Sequence, residues 1–471
     1  MPFTQALILH KPMRRRWPLC LLAVALWLGG SKQCFSKAPG HRFLIASDIH
    51  FNPFADRSLV ADLAAAPPEQ WEGILDRSTP AATSPYGQDS NWWLLKSALD
   101  AMRATEPHPA LVMITGDLLA HNFPQTYASV MHDSDREHYR AFVRKTVVFL
   151  AAELRQRFKK SQILLTPGNN DNECGDYDIE AGGPFLDDTA EVVHKLARAG
   201  GRMKSEWKAL GSYSVQPVSI PGLRILSVNT VFFSNKYQAT SFANACSPVD
   251  SNAAGQTFSW LESNLVQAKQ ANQKVWIMFH IPPGIDGYAS MMQMQHAGPG
   301  QCAKAIVPMW KPVWTSRFDG LTEKFQGTIM ASFAGHTHTD DFRVLPGGGF
   351  VLIDPPVSPV YGQNPAFRVV SITGDGGVTD QSTYYLNNQQ WTREYSFIAE
   401  WHSPSIDGTS LKSIDEGINH DPEARTRWLT LLNVSSTHDA VPPNGVPALD
   451  CAISALEPAT YEACACATTA P

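Results

Sequence analysis

The sequence predicts a layered α/β domain followed by a small, mostly helical module, and three observations carry that reading. From His41 to about Asn388, short apolar runs alternate with stretches whose apolar residues recur at three- and four-residue steps. Five of those apolar runs end in short polar clusters, distributed from Asp48 to His338. After Tyr395 the strand pattern stops, and a periodic segment from Thr426 to Asn433 leads into a cysteine-bearing tail. A chain of 471 residues with 44% apolar composition is long enough to bury one large core and carry an appendage.

The amino terminus reads as a targeting segment. Lys11 and Arg14-Arg15-Arg16 precede an apolar stretch from Pro18 to Leu28 that breaks at Gly29-Gly30, the charge and apolar pattern of a secretory signal over residues 1–30. A membrane-spanning helix needs roughly 20 apolar residues, and this stretch is shorter. Its removal takes four positive charges and no negative one, moving the formal charge from −6 to about −10. No block rich in lysine and arginine follows, which argues against nucleic acid as a partner. No second long apolar run follows either, so the expectation is a soluble monomer, secreted or periplasmic, with no stable membrane span.

Cysteine usage agrees with an oxidising compartment. Cys20 and Cys34 lie in or beside the signal, leaving Cys174, Cys246, Cys302, Cys451, Cys464 and Cys466, enough for three disulfides. Cys451 with Cys464 or Cys466 is the expected local pairing. The Cys464-x-Cys466 pair lacks the companion ligands of a zinc site. Asn433-Val434-Ser435 fits a glycosylation sequon, a triplet common by chance.

Within the α/β region the elements follow in order. Strands are expected at FLIAS, LVMIT, ILLTP, VWIMF and TIMASFA, and helices at Trp92–Met102, Arg140–Phe158, Thr189–Ala199 and Ser259–Gln270. Pro346-Gly347-Gly348-Gly349 and Gly374-Asp375-Gly376-Gly377 mark hairpins. The five strands deliver Asp48-Ile49-His50, Gly116-Asp117, Gly168-Asn169-Asn170-Asp171, His280 and Gly335-His336-Thr337-His338. In a layered α/β domain the residue just past a buried strand projects into the crevice where ligands bind.

Each cluster alone has an ordinary reading. Gly-Asp and Gly-Asn-Asn-Asp are turn signals, and His280 before Pro282-Pro283 can simply end a strand. Their joint occurrence behind five strands describes a metal centre. Asp48, His50, Asp117, Asn169, His280, His336 and His338 form a donor set of imidazole, carboxylate and amide without thiolate. That set suits zinc, with iron or manganese as the other fits, better than calcium or magnesium. Asp117 has two oxygens with which to bridge two ions. Two such ions form the clamp used on phosphate esters, with a bridging hydroxide as nucleophile.

In order and residue type these clusters resemble the calcineurin-like metallophosphoesterase superfamily. That resemblance implies a four-layer αββα metallophosphoesterase sandwich over residues 41–395 and a small helical, disulfide-bearing domain over 396–471. It also implies that Asp48, His50, Asp117 and His338 hold one ion, and Asp117, Asn169, His280 and His336 the other. Thr115-Gly116-Asp117-Leu118-Leu119-Ala120-His121, His280-Ile281-Pro282-Pro283-Gly284, Gly335-His336-Thr337-His338-Thr339-Asp340 and the stretch Pro355–Arg368 are similar to a narrower branch. This branch contains acid sphingomyelinase, its phosphodiesterase relatives and the endopolyphosphatases. Purple acid phosphatases fit less well, because the tyrosine ligand of that group falls at Ala120.

One departure matters. Most metallophosphoesterases carry histidine at the position of Asn170, beside the scissile phosphate, and an amide donates a hydrogen bond but no proton. His121 is the candidate to take over as general acid or phosphate contact, with a structural loop histidine as its ordinary reading. The expected function is therefore hydrolysis of phosphodiesters, sphingomyelinase-like, on a small-molecule or lipid phosphoester. The alternatives are a phosphoanhydride hydrolase acting on polyphosphate or a nucleotide pyrophosphate, which needs less acid, and a non-catalytic metal-binding scaffold. Substrate choice is expected to lie in loops around Asp89–Trp93, Cys174–Phe185 and Gly284–Trp314. Trp92, Trp93, Trp310, Trp314 and Trp391 are read mainly as packing, with an apolar rim for lipid or choline as the second reading.

Overall fold

The computed structural model describes residues 40–237, 252–298, 300–438 and 441–467. The expected signal segment, with Cys20, Cys34 and also Cys246, lies outside the described residues.

Two six-stranded sheets form the middle of the molecule. The first contains β1 (His41–Ala46), β2 (Leu111–Ile114), β3 (Gln162–Leu165), β10 (Ala366–Ile372), β11 (Val378–Asn387) and β12 (Gln390–Ser396). The second contains β4 (Tyr213–Val215), β5 (Leu223–Val228), β6 (Lys274–Phe279), β7 (Ile329–Ala334), β8 (Asp341–Val344) and β9 (Phe350–Ile353). Their orders are β12-β11-β10-β1-β2-β3 and β4-β5-β6-β7-β9-β8. The runs β1-β2-β3 and β5-β6-β7-β9 are parallel, so each run ends along one edge. Apolar residues on both faces of such strands demand a cover on each side.

The sheets cover one another on one face. The Phe43 ring of β1 stands 4.9 Å from Trp276 of β6 and 5.8 Å from Phe333 of β7. Tyr213 Oη donates to the Leu165 carbonyl at 2.8 Å, tying β4 to β3 across the same layer. Helices supply the outer covers. Phe149 of helix Arg136–Arg157 packs on Phe51, Trp71 and Trp92, while Phe318 of helix Pro312–Lys324 packs edge-on against Phe279. The four layers are helix, sheet, sheet, helix, the αββα sandwich the sequence led one to expect.

The expected helices are present; the one at Trp92 starts where expected and runs on to Thr105, and the other three begin earlier, at Arg136, Pro184 and Ala253. Helix Trp92–Thr105 starts at an Asn91 side-chain cap, Arg136–Arg157 at an Asp135 cap, and Pro184–Ala197 with proline in its first turn. The starts at Arg136 and Pro184 precede the expected first apolar-periodic residues, so periodicity alone places those two late. The two glycine-rich turns join β8 to β9 and β10 to β11, both antiparallel pairs.

Beyond Ser396 the described residues form α-helices at Phe397–Trp401, Gly408–His420, Pro422–Leu432, Val446–Ser454 and Pro458–Tyr461. Trp428 Nε1 donates to Asp341 Oδ1 of β8 at 3.2 Å. Cys451 pairs with Cys464, one of the two expected local pairings, and Cys302 pairs with Cys466 over a separation of 164 residues. The Cys302–Cys466 disulfide ties the segment Glu462–Cys466 to the turn Cys302–Ala305.

Candidate metal centre

The strand ends β1, β2 and β3 of one sheet meet β6 and β7 of the other, and the five polar clusters converge there. Asp48 is pinned by its N–H to the Gly116 carbonyl at 3.1 Å, and His50 by its N–H to Asp117 O at 2.9 Å. Asp48, His50, Asp117, His336 and His338 all have positive φ, between 42° and 74°. Non-glycine residues rarely adopt that region, and such strain persists where surrounding structure over-determines it.

Side-chain atoms then gather in two groups sharing Asp117. Ligand atoms of Asp48, His50 and Asp117 lie within 4.8 Å of one another, as do those of Asp117, His280 and His336. A third such group joins His50, His121 and His338. His338 Nε2 is 3.3 Å from Asp48 Oδ1, and His280 Nε2 is 3.2 Å from Asp117 Oδ2. Asn169 Nδ2 donates to Asp176 Oδ1 at 2.7 Å, which turns the Asn169 amide oxygen toward His280 Nε2, 3.1 Å away.

The hydrogen bonds around the rim test whether cations fit. His50 Nδ1 meets the Leu119 carbonyl at 2.9 Å and His280 Nδ1 meets the Thr115 carbonyl at 2.8 Å. A carbonyl only accepts, so in the neutral ring each Nδ1 carries the proton and each Nε2 presents a lone pair to the centre. There His50 Nε2 faces His338 Nε2 at 3.1 Å, and His280 Nε2 faces two oxygen acceptors. A neutral His280 ring would set its Nε2 lone pair against two oxygen acceptors, which a shared positive charge relieves; His338 Nδ1 is buried without a partner among the described residues, and imidazoles oriented by backbone carbonyls are the usual outer support of a metal ligand. The donor set fits divalent cations.

The electrostatics point the same way. Burial works against the charged His280 ring, but the Asp117 carboxylate outweighs it and raises the imidazole to about 9. Burial likewise opposes and Asp117 favours the charged form of His50, which rises to about 10. Burial would raise the Asp48 carboxyl, yet His338 and the other facing imidazoles hold it well below the usual carboxylate range. These carboxylates hold on to whatever positive charge the site can offer.

Second-row residues lock the arrangement, and sequence reading missed several. Ser47 Oγ donates to Asp48 Oδ2 at 2.5 Å. Asp171 accepts the N–H groups of Leu118 at 2.7 Å, Leu119 at 3.1 Å and Gly168 at 2.9 Å, bracing the Asp117 loop. Burial, then the nearby Asp117, pushes the Asp171 carboxyl up to about 6. Arg368, fully buried, bridges Asp354 at 3.0 Å and Asp340, linking the two sheets behind the centre. The turn chemistry of Gly-Asn-Asn-Asp was the one available signal for Asp171; nothing local marked Arg368.

His121 and Asn170 sit differently. His121 takes both oxygens of Asp89, through Nδ1 at 2.8 Å and its backbone N–H at 2.8 Å. Its ring stacks 4.0 Å from His50, and Nε2 lies 3.3 Å from Tyr361 Oη. Asn170 donates to Asp117 twice, from the backbone N–H to Oδ1 at 2.8 Å and from Nδ2 to Oδ2 at 2.9 Å.

A cavity of about 330 Å³ opens beside the centre, reaching from Asp117, His121, His336 and His338 to Tyr177, Tyr288 and Tyr361 and to Leu432, Val441 and Leu449. Two of the loops expected to shape it do so, through Asp176–Tyr177 and Asp286–Met309, and the helical region contributes a wall that was not expected. None of the five singled-out tryptophans lines it; Trp92 and Trp310 are buried at 1% and 0% exposure. Asn433 of the sequon lines the cavity, and Ser435 Oγ is held by Glu394 at 2.7 Å.

Residues 41–340 match the model of the calcineurin-like phosphoesterase family, well over half the chain, and the chain belongs to that family. It is a phosphoric ester hydrolase of a family that works with divalent metal ions. Its similarity is to sphingomyelinase-like phosphodiesterases. It is 28% identical over 359 residues to sphingomyelinase phosphodiesterase D of Dictyostelium discoideum, covering 70% of each chain. Against a cyclic GMP-AMP phosphodiesterase of Mus musculus it is 25% identical over 486 residues, covering 95% of this chain and 97% of that one. Against acid sphingomyelinase-like phosphodiesterase 3b of Homo sapiens it is 25% identical over 448 residues, covering 88% and 86%. No helix among the described residues is long and apolar enough to cross a membrane.

Proposed function

We propose that the chain is an exported phosphodiesterase, acid sphingomyelinase-like, whose centre holds two divalent ions, zinc by preference of the donor set. In this reading residues 1–30 are a removed signal, residues 41–395 the catalytic domain and residues 396–471 a helical domain walling the cavity. Asp48, His50, Asp117 and His338 would hold one ion, and Asp117, Asn169, His280 and His336 the other. When bound, the ions supply Lewis-acid polarisation of the phosphoryl oxygen and a lowered pKa for water. The observation that carries the proposal is the convergence of buried imidazoles and carboxylates on a shared Asp117, with ligand atoms of Asp48 and His50 on one side and of His280 and His336 on the other, and His338 Nε2 beside Asp48.

The protein's own groups do the rest. Asp89 fixes the His121 ring with Nδ1–H toward the carboxylate, leaving Nε2 to pass a proton to the departing oxygen. Asn170, tied to Asp117, orients that carboxylate. The apolar wall of Leu432, Val441 and Leu449 receives the uncharged part of the ester.

A phosphoanhydride substrate is the second reading, favoured by asparagine at position 170, since an anhydride leaves without strong acid help. The test is a turnover panel on metal-loaded protein: bis-nitrophenyl phosphate, nitrophenyl phosphorylcholine, sphingomyelin in micelles, ATP and polyphosphate. Preference for choline esters supports the first reading and preference for ATP or polyphosphate the second. Metal-replete protein inert on all five would leave the scaffold.

A further inference from the structure

The donor residues of the centre are held in two different ways. His50 and His280 rest on backbone carbonyls, those of Leu119 and Thr115, in the segment that follows β2. Asn169 and His336 rest on side chains, and both side chains belong to one dipeptide, Asp176-Tyr177. Asp176 Oδ1 accepts from Asn169 Nδ2 at 2.7 Å. Tyr177 Oη lies 3.2 Å from His336 Nε2, and the two rings stand edge to face with centroids 6.0 Å apart. Asn169 follows β3 of one sheet and His336 follows β7 of the other, so the dipeptide spans the junction of the two sheets.

The loop that presents this dipeptide is closed on itself. Tyr177 N–H donates to the Asn169 carbonyl at 3.0 Å, and Asn172 Nδ2 donates to the same carbonyl at 3.0 Å. Asn172 Oδ1 accepts the N–H groups of Cys174 and Gly175 at 2.7 and 2.8 Å. Tyr177 has a φ of 64°, in the left-handed region that five of the candidate ligands also occupy, and it is only 6% exposed. A bulky residue rarely adopts that region, and the strain persists where the surroundings over-determine it.

We infer that Asp176 and Tyr177 are positioning residues for one of the two ions, the one assigned to Asn169 and His336, and that this loop sets the retention of that ion separately from the other. The inference rests on the two-ion reading above. An amide can turn over and present either its oxygen or its NH2 group to the centre. Asp176 takes the NH2 group and leaves the oxygen for the cation. An imidazole that gives one nitrogen to a cation carries its proton on the other. With Nε2–H donated to Tyr177 Oη, the His336 lone pair is on Nδ1, and removing such an outer partner weakens ion binding. Neither residue of the dipeptide hydrogen-bonds Asp48, His50 or His338, the donors that belong to the other ion alone.

The test follows zinc release from loaded wild type, Tyr177→Phe, Asp176→Ala and Asp176→Asn into excess chelator, read with a metal-sensitive dye. Wild type should release two ions. In Tyr177→Phe and in Asp176→Ala one ion should leave about 10–100-fold faster while the other leaves at the wild-type rate. Asp176→Asn keeps an amide oxygen for Asn169 Nδ2 and should recover most of the slow release, which separates orientation from charge. The metal-free variants should unfold at the wild-type temperature, and turnover lost by Tyr177→Phe should return as free zinc is raised. Unchanged release, equal acceleration of both ions, or Asp176→Asn behaving as Asp176→Ala overturns the inference, while two ions released from wild type leave the two-ion reading standing. A wild-type chain that holds fewer than two ions overturns both.

Discussion

A methyl group added at Gly168 tests the geometry of the centre without altering any proposed ligand. Gly168 lies outside the left-handed region of φ, so alanine brings no backbone penalty there, only bulk. Its Cβ would overlap Asp117 Oδ1 and N and sit 2.7 Å from Asp117 Cγ. Carbon atoms in good contact stand about 3.5–4.0 Å apart, so Asp117 or its loop must retreat by about 1 Å. Asp117 belongs to both ligand groups, and a 1 Å misplacement can cost about 10²-fold in rate. Overpacking of this kind also costs about 1–3 kcal/mol of stability, which leaves most of a typical domain's margin. Gly168→Ala should therefore stay folded by thermal unfolding, bind fewer ions by elemental analysis, and lose at least about a hundredfold on bis-nitrophenyl phosphate. Full ion content with turnover within about threefold of wild type would refute the argument that Asp117 is held at this spacing for catalysis.

Three further expectations concern other parts of the molecule. His121→Ala should slow alkyl phosphodiesters far more than nitrophenyl ones, by a differential within the roughly 10²–10⁴-fold range of acid catalysis; an equal loss on both would make His121 a binding contact. Gly320 and Gly417 lie within the helices Pro312–Lys324 and Gly408–His420 with nothing within 4 Å of a built Cβ. Alanine at each should raise stability by about 0.5–1 kcal/mol, seen as a higher Tm, and a lower Tm would contradict the packing described. Burial, then Asp340 and Glu400 against the opposing Arg368, pushes Glu394 up to about 8. Because the folded value exceeds the unfolded one, this stability is fully present below about pH 4.3 and is lost as pH rises through 8. Glu394→Gln should flatten the fall in denaturant midpoint between pH 5 and 8.5, and an unchanged slope would show that Glu394 does not titrate there.

The convergence of the candidate residues was legible because each follows a buried parallel strand, where position along the chain fixes position in space. Asp48, Asp117 and His280 could be placed that way with no knowledge of the loops. Residues that act through long-range partners were not: Asp89 reaches His121 across 32 positions and Arg368 reaches Asp340 across 28, and neither has a local pattern that announces the contact. Helix periodicity reports the buried face but not the cap, so the helix expected from Arg140 begins instead at Arg136, where the Asp135 side-chain oxygen meets free N–H groups. The cavity wall from Leu432 to Ala452 escaped notice because its apolar residues read equally well as core. Trp92 and Trp310 pack in the core, as their first reading had it, and the aromatic residues at the opening are Tyr288 and Tyr361, 57% and 51% exposed.

The central claim is that one carboxylate, Asp117, joins two divalent ions into a working phosphodiesterase. Ion stoichiometry and bis-nitrophenyl phosphate turnover, measured together on wild type and Asp117→Asn, test it most directly. The account predicts two ions per wild-type chain with turnover, and in Asp117→Asn a folded protein that has lost ions and activity together. Unchanged turnover in Asp117→Asn, or a wild-type chain that holds its ions and hydrolyses nothing, would contradict it.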